Sequence, residues 1–597
     1  MLFASARAEI ASAEHAGDSS VPLERLVVSA SRTPQDERYT PSSVSLVPLD
    51  DLQAQQVYSL ADALAQQPGL IVTNTGGRGG QTSIFMRGGN AEHTLFIVDG
   101  VRMNDRAAEY MNFLGSADLG GIDRIEVLRG PQSTLYGSSA MGGIILIDTT
   151  RGCNAPTGSL TATAGSFSSY GVAASVSGGT RTLGYSGWLS RYETDNDRPG
   201  NAARSWSYST RVEALLAPSF LLGATLRGQN AFYDEPGSLL YPSPGSVRSN
   251  NTLTTVYGEA RAGSEFTSRL TLASHLRQYT WEDSYGVSPQ HNNRTILDWQ
   301  NTWEAARNTE IVAGFNWENS KYTVDANADT DHITAGYVSA TVRPVSQLNL
   351  TAGLRYDDYT SVGSATTGRA GAAWLPLPGT KVHATFGTGF NAPSTSDRYG
   401  VPGWGQVANP NLVPEKSRGW DLGVDQEFAQ GKATVSVTYF QNRFRNLFQW
   451  QYVNYVTYEG MTVNLARART EGVEVATAVR LAEHVTSRVS YTYLDGRDAD
   501  TNARLTRRPR HTGDAEIESV VLKDWTIGAG VHLVAGRIDG TTVMPDYAAV
   551  RVFTSYALRS NFLLKLRVEN ALDKDYQEVR GYPALPLGVF AGAEWKF

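Results

Sequence analysis

The stretch Leu348-Asn349-Leu350-Thr351-Ala352-Gly353-Leu354-Arg355-Tyr356-Asp357 sets an apolar or aromatic side chain at every second position, with a polar or small one between. Side chains of a β-strand alternate between its two faces, so this stretch is a strand with one apolar face and one polar face. The same period returns along the chain. Ala433, Val435, Val437 and Tyr439 interleave with Thr434, Ser436, Thr438 and Phe440. Phe562, Leu564, Leu566 and Val568 interleave with Leu563, Lys565, Arg567 and Glu569. The chain ends with Val589, Ala591, Ala593, Trp595 and Phe597 on one face, opposite Phe590, Gly592, Glu594 and Lys596. One such segment also fits a half-buried sheet of a soluble protein. A long series, with Tyr and Trp near strand ends, favours a transmembrane β-barrel over residues 155–597. A spanning strand takes about 9–11 residues, and plugged barrels have about 22 antiparallel strands. That uses roughly 220 residues and leaves about 10 for an average connection.

Composition agrees. Of 597 residues, 41% are hydrophobic and only 19% charged, with 28 Tyr, 12 Trp and 58 Gly. The mean hydropathy of −0.29 suits strands whose two faces cancel. No run of about 18 apolar residues occurs, which excludes a helical membrane protein. The net charge of −7 argues against a nucleic-acid partner. Cys153 is the only cysteine, so it forms no internal disulfide and no thiolate cluster; it reads as an isolated linker residue.

Residues 40–152 differ from the rest of the chain. Leu52, Leu60, Ala63 and Leu64 fit a short helix pattern ended by Pro68-Gly69. Apolar runs then alternate with glycine turns: Ser83–Met86, Thr94–Val98, Arg124–Leu128 and Gly143–Ile147. Such runs indicate strands buried on both faces of a small α+β domain. Residues 1–23 read as the remnant of a signal peptide followed by a small, polar, mobile tail, because Ala-x-Ala cleavage patterns crowd the first eight residues. An extended candidate comes next: Glu24, Arg25, Leu26, Val27, Val28, Ser29 and Ala30.

A barrel this wide would leave an aqueous hole, and the compact domain before it is the economical filling. A plugged pore does not conduct passively, and no nucleotide pool lies outside the inner membrane to open it. Work then has to arrive through the plug. The segment 24–30 could add as an edge strand to a periplasmic partner, since backbone hydrogen bonds ask little of sequence. A simple first strand or linker fits that position equally well.

Several stretches together resemble the TonB-dependent outer-membrane transporter family over nearly the whole chain. Ile84-Phe85-Met86-Arg87-Gly88, Ile97-Val98-Asp99-Gly100-Val101 and Arg124-Ile125-Glu126-Val127-Leu128-Arg129-Gly130-Pro131 look like its plug signatures. Leu135-Tyr136-Gly137, Asn409-Pro410-Asn411-Leu412-Val413-Pro414-Glu415, Thr470-Glu471-Gly472-Val473-Glu474 and Val568-Glu569-Asn570-Ala571-Leu572 continue the likeness. Within the family, Arg87 to His93 and Asp99 to Asn104 are most similar to its cobalamin-transporting members. The resemblance implies a bacterial outer membrane of Gram-negative type, a monomer embedded in lipid, and residues 24–30 as the TonB box. It implies TonB as the energising partner and a corrinoid as the imported ligand, with no cofactor required. A ferric siderophore or haem is the alternative within the family.

By the same resemblance, two plug loops bind ligand. The first contributes Asn74, Thr75, Gly76, Gly77, Arg78 and Gln81, the second Asn104, Tyr110, Asn112 and Phe113. Glycines let backbone approach a bulky ligand, and Asn, Gln and Arg offer hydrogen bonds to amides and phosphate; ordinary turn chemistry is the competing reading. Tyr233, Tyr241, Trp404 and Trp450 could stack on a flat ring system, or serve as girdle and strand-end residues. Buried arginines need partners. The resemblance suggests a plug–barrel lock joining Arg87 and Arg129 to barrel glutamates, with Glu471 the leading candidate and Glu126 inside the plug the alternative. Cobalamin transporters also bind calcium in acidic loops. Asp195, Asp197, Asp234 and Glu235 offer hard oxygen ligands here, although Arg198 and Arg204 nearby favour plain solvated charge.

Enzymatic readings find little. No HExxH spacing, GxSxG elbow or GK[ST] phosphate loop occurs. A passive porin and a surface receptor that binds without import remain the other rivals.

Overall fold

The computed structural model describes residues 26–104, 114–152, 155–284, 286–324, 327–401, 405–457 and 459–597. From Thr157 to Lys596 the chain runs up and down through a closed barrel of 22 antiparallel strands. The last strand, Gly588–Lys596, pairs with the first, Thr157–Gly165, placing Ser159 opposite Lys596 and Gly165 opposite Phe590. Closure leaves no unpaired edge.

The alternation seen in the sequence is inside out compared with a soluble sheet. In the strand Leu348–Tyr359, Leu354 is 61% exposed and Tyr356 52%, while Arg355 and Asp357 are buried. The apolar face therefore looks outward, as a strand facing lipid requires. The polar face looks inward onto protein. No described helix is long and apolar enough to cross a membrane.

Strand lengths depart from the even division expected. They range from 8 residues in Phe562–Glu569 to 24 in Glu459–Ala482. On one rim the turns hold only two to four residues, as at 218–219, 307–308 and 429–432. On the other rim lie the long connections 195–202, 392–414, 499–510 and 570–587. The excess length belongs to strands that continue past the apolar belt toward this second rim, so the average of ten residues described neither rim.

The N-terminal part fills the barrel. Its strands are β1 (Leu26–Val27), β2 (Gln35–Asp36), β3 (Val44–Pro48), β4 (Leu70–Asn74), β5 (Thr82–Met86), β6 (Thr94–Val98), β7 (Val101–Arg102), β8 (Ile122–Arg129) and β9 (Gly143–Thr149). A five-stranded sheet runs β3-β8-β9-β6-β7, with β6 and β9 parallel. The apolar runs have the expected cause. Phe96, Val98, Ile145 and Ile147 pack on one face with the helices, whereas Leu95, Ile97, Ile144 and Leu146 pack on the other with Val27 and Tyr136. Each fully buried side chain of this size contributes about 1.5–3 kcal/mol. The single helix pattern proves to be two helices, Leu49–Ala54 and Leu60–Ala65, the second capped by Ser59 Oγ accepting from Asp62 N at 3.0 Å.

The outward orientation sets a test. Leu354 sits mid-strand on the apolar belt, whereas Leu465 lies near the long-loop end of Glu459–Ala482. Leu354→Arg is expected to destabilise folding into lipid vesicles by about 2–4 kcal/mol, and Leu465→Arg by about 0–1 kcal/mol. Denaturant titration in vesicles reads both, and equal costs would contradict this placement of the belt.

Candidate functional site

Arg87 comes directly after β5 at a left-handed turn, with φ of +49°, and Gly88 continues it at +76°. This turn drives the Arg87 guanidinium out of the plug and into the barrel wall. There Nε and Nη2 donate to the two oxygens of Glu474, both at 2.8 Å, while Nη1 donates to Asp421 at 2.7 Å. The Phe440 ring lies 4.8 Å from the guanidinium carbon. Burial alone would lower the Arg87 pKa; the two carboxylates overcome it and hold the group above its ordinary value.

Glu474, not Glu471, is thus the partner of Arg87. The two positions differ by three residues, and odd spacing on a strand means opposite faces. Glu471 lies on the outer side, paired with Arg469 at 2.7 Å and accepting from Gln441 at 3.0 Å. A signal for the correct choice was present. Val473 and Val475 flank Glu474, and Trp420 and Leu422 flank Asp421, so in an inside-out barrel both acids must point inward.

Arg129 stands beside this cluster without a direct carboxylate, and Glu126 is not its partner. It donates to Pro68 O at 2.7 Å, Ser45 Oγ at 2.6 Å and Ser43 Oγ at 3.3 Å. Burial lowers its pKa to about 10, with Glu474 opposing and Arg87 reinforcing that shift. Gly69 gives the pieces room. A Cβ there, at φ +76°, would lie 2.1 Å from Glu474 Oε1.

A second plug–barrel contact was missed in the sequence. His93 Nδ1 accepts from Asn90 N, which leaves Nε2–H to donate to Glu415 at 2.9 Å. Glu415 also accepts from Asn391 at 2.9 Å and Phe448 N at 2.8 Å. Among the described residues, Glu92, His93 and Glu415 form the only three-ligand group close enough for a metal. The polar atoms facing it are already used in hydrogen bonds, so it acts as a latch. Arg508 adds donations to Gly89 O at 3.0 Å and Asn90 Oδ1 at 2.7 Å.

The segment 24–30, expected to add as an edge strand to a partner, is docked from Leu26 onward; Glu24 and Arg25 lie outside the described residues. β1 pairs with β2, Leu26 opposite Asp36. The buried Glu126 carboxylate collects the amides of Val28 at 3.0 Å and Ser29 at 2.8 Å. Tyr136 donates to Ser29 O at 2.9 Å, and Val27 and Ala30 are buried. Burial raises the Glu126 pKa, and Arg124 opposes the shift.

Toward the long-loop rim, the plug loop Asn74–Gln81 is held by the barrel. Asn74 N donates to Glu578 at 2.7 Å, Asn201 donates to Gly76 O at 2.7 Å, and Asn196 accepts from Arg78 N at 3.0 Å. Gly76 and Gly77 have φ near +90°, a conformation that suits glycine. The Arg78 side chain is committed to Asp118 and stacks on Tyr192 at 4.8 Å. Asn104 is also a structural strap, accepting from Phe96 N and donating to Thr94 O, each at 2.9 Å. Thr75 and Gln81 keep exposed surface. Tyr110, Asn112, Phe113 and Trp404 lie outside the described residues. Tyr233 is buried; Tyr241, 82% exposed, stands in a loop tied to 570–587 by Leu239 N donating to Gly581 O at 2.8 Å.

The four acids considered for calcium do not gather. Asp195 and Asp197 are exposed, and Glu235 accepts the Gln81 amide. Arg198 reaches Gly237 O at 2.8 Å instead. Between plug and wall lies a cavity of about 1860 Å³, bordered by Asn74 and Arg78 near the long loops and by Pro378 and Lys381 near the short turns. Arg129 and Glu474 line it midway.

Comparison with known proteins places both parts. Residues 36–144 match the model "TonB-dependent Receptor Plug Domain", and residues 152–571 match "TonB dependent receptor-like, beta-barrel". The chain is similar to the vitamin B12 transporter BtuB of Photobacterium profundum, 28% identical over 602 residues covering 96% of this chain and 95% of that protein. Among solved structures, P. aeruginosa FpvA bound to a heterologous pyoverdine superposes with TM-score 0.83 at 17% identity, covering 96% of this chain and 88% of that one. The siderophore receptor PirA of Acinetobacter baumannii gives 0.80 at 16%, covering 93% and 98%. The alcaligin receptor FauA of Bordetella pertussis gives 0.77 at 18%, covering 98% and 99%. At these identities the structures speak to the fold.

The two glutamates of the Thr470–Glu474 stretch now make opposite expectations. Glu474→Ala leaves a buried guanidinium short of its bidentate partner and is expected to destabilise plug docking by about 3–5 kcal/mol. Glu471→Ala removes an outer-surface pair and is expected to change it by about 0–1 kcal/mol. Hydrogen exchange of plug amides in the purified full chain measures both, and similar effects would reject the lock.

Proposed function

The chain belongs to the TonB-dependent receptor family, and from that premise we propose that it imports a corrinoid such as cobalamin across the outer membrane of a Gram-negative-type bacterium. The family consists of transporters and receptors, not enzymes. The observation that carries the ligand is the end-to-end similarity to a vitamin B12 transporter, which spans plug and barrel alike. The siderophore receptors share the architecture at under 25% identity, so their ligands carry no weight here.

The rim of long loops supports the reading. Thr75, Gln81, Tyr241 and Tyr582 offer neutral hydrogen bonds and flat aromatic surface around the plug loop. A corrinoid presents a flat ring, peripheral amides and one phosphodiester, which such a surface matches. Work enters at the other end. Release of Leu26–Ala30 from Glu126 frees its backbone for strand addition to TonB. Tension on that segment then loosens the plug beside the 1860 Å³ cavity, opening a path along the wall instead of through the sheet. A barrel that closes on itself offers no edge to a second copy, which suits a monomer.

Equilibrium binding of cyanocobalamin to the purified protein, with a ferric siderophore as competitor, tests the ligand. Tight binding untouched by the siderophore is expected; displacement by the siderophore, or no binding, sinks the corrinoid assignment. Affinity is expected to be the same with and without calcium, because the four loop acids do not assemble. Glu126→Ala tests the tether. Two charge-assisted hydrogen bonds of about 1.5–3 kcal/mol are lost, so exchange of the Val28 and Ser29 amides should quicken by about 10- to 100-fold. Unchanged exchange would mean that Glu126 does not hold the segment.

A further inference from the structure

Four adjacent strands, Glu415–Phe428, Ala433–Asn454, Glu459–Ala482 and Val485–Asp498, carry a row of arginines on the outer face of the barrel. Arg418 stands directly opposite Arg443, Arg443 opposite Arg469, and Arg469 opposite Arg497. A bridge from Arg497 to Arg504 extends the row onto the next loop. One step nearer the long-loop rim, Lys416 faces Arg445. The row looks outward, because Arg418 shares its face with Trp420 and Leu422, both exposed, while Ser417, Gly419 and Asp421 between them point inward.

Like charges opposite one another across a sheet are destabilising. Neutralisation within the chain is partial. Arg469 pairs with Glu471 at 2.7 Å, Arg497 with Asp495 at 2.8 Å, and Arg467 with Asp500. Among the described residues, no ion pair or hydrogen bond reaches the side chains of Lys416, Arg418, Arg443 or Arg445. Outward arginines elsewhere are arranged differently. Arg204 and Arg248 are separated by Phe232, whose ring lies 4.5 Å from one and 6.0 Å from the other. The crowding of cations is therefore local, on a chain whose net charge is −7.

Height along the barrel indicates what supplies the missing anion. Trp420 lies two residues below Arg418 and packs on Tyr439, ring centres 5.4 Å apart, and Tyr493 stands in register with Tyr439 across Val473, with Tyr491 two residues below it on the strand Val485–Asp498. Such aromatics mark the membrane–water boundary, so the arginines stand at headgroup level on the long-loop side. Three strand spacings give the row a width of roughly 14 Å. The guanidinium fork matches phosphate oxygens in bidentate fashion.

We propose that this row is a binding surface for a phosphorylated lipid headgroup of the outer leaflet, seated across Arg418, Arg443, Arg469 and Arg497. The inference rests on the outer-membrane placement proposed above and is independent of the imported ligand.

Native mass spectrometry of the purified full chain in detergent tests it, with a diphosphorylated lipid A as probe. The wild type is expected to retain the lipid, and Arg418→Gln with Arg443→Gln to lose at least about tenfold in affinity, as expected when two bidentate charge-assisted contacts go. Arg204→Gln with Arg248→Gln should leave binding unchanged. All six positions named are exposed or half-exposed at the surface, and an unchanged melting temperature confirms folding. Equal binding of the same lipid stripped of both phosphates, or equal binding by the double variant, would overturn the proposal. Complete displacement by millimolar inorganic phosphate would reduce it to an adventitious ion only. Surface proteolysis of the long loops on cells reports the membrane placement separately, so failure of that premise is distinguishable from failure of the lipid site.

Discussion

One buried guanidinium organises the molecule. Arg87 leaves the plug at a left-handed turn and finds Glu474 and Asp421 on two strands of the wall. A charge so far from water is tolerated only where paired and hydrogen-bonded, so the plug sits where that geometry is met. Gly69, Arg129, Phe440 and Thr470 adjust around it, Thr470 Oγ donating to Arg87 O at 2.8 Å. The bidentate geometry of these charge-assisted contacts fixes the position closely.

Polar pairing of this kind recurs along the interface. The inner wall is lined with Arg, Asp, Glu, Asn, Ser and Thr, and the plug presents matching backbone and side-chain groups. Arg294 pairs with Glu318 while donating to Arg102 O, and Arg32 pairs with Asp298. The apolar faces of the plug sheet pack mainly on plug side chains, and a few wall residues, among them Leu253, Ala273, Val312 and Tyr337, complete the two clusters. The seam is thus polar with small apolar patches, such as Ile71 and Phe85 against Phe440 and Leu494, and a cavity runs along one side of it. The docking of Val28 and Ser29 on Glu126 belongs to the same logic, since a carboxylate holding backbone amides is a grip that strand addition can replace like for like.

The outer surface obeys a different rule. Below the long-loop rim, the lipid-facing residues are apolar or aromatic, and the arginine row begins where that belt ends. Charge there answers to what lies outside the protein, just as charge inside answers to the plug.

The sequence by itself determined the barrel, because a period of two repeated over four hundred residues has few other physical meanings. It also determined the inner domain, because runs such as Thr94–Val98 must be buried on both faces. The family motifs located the lock arginine and the stretch containing its partner. Parity could have chosen Glu474 over Glu471, since Val473 and Val475 must face lipid once the barrel is accepted. The tertiary structure decided what distance along the chain conceals. His93 meets Glu415 and Arg87 meets Asp421 across more than three hundred residues, and no local pattern carries such pairings. Arg78 looks like a free ligand-binding group in a glycine-rich loop, yet Asp118 takes up its guanidinium, and Asn104 is taken up by the backbone of Phe96 and Thr94 once the chain turns back on itself. The acids at 195 and 197 lie in a loop and those at 234 and 235 end a strand, and the four share no centre. Register alone set Arg418, Arg443, Arg469 and Arg497 in a line, because which residues of neighbouring strands stand opposite is fixed only when the sheet closes.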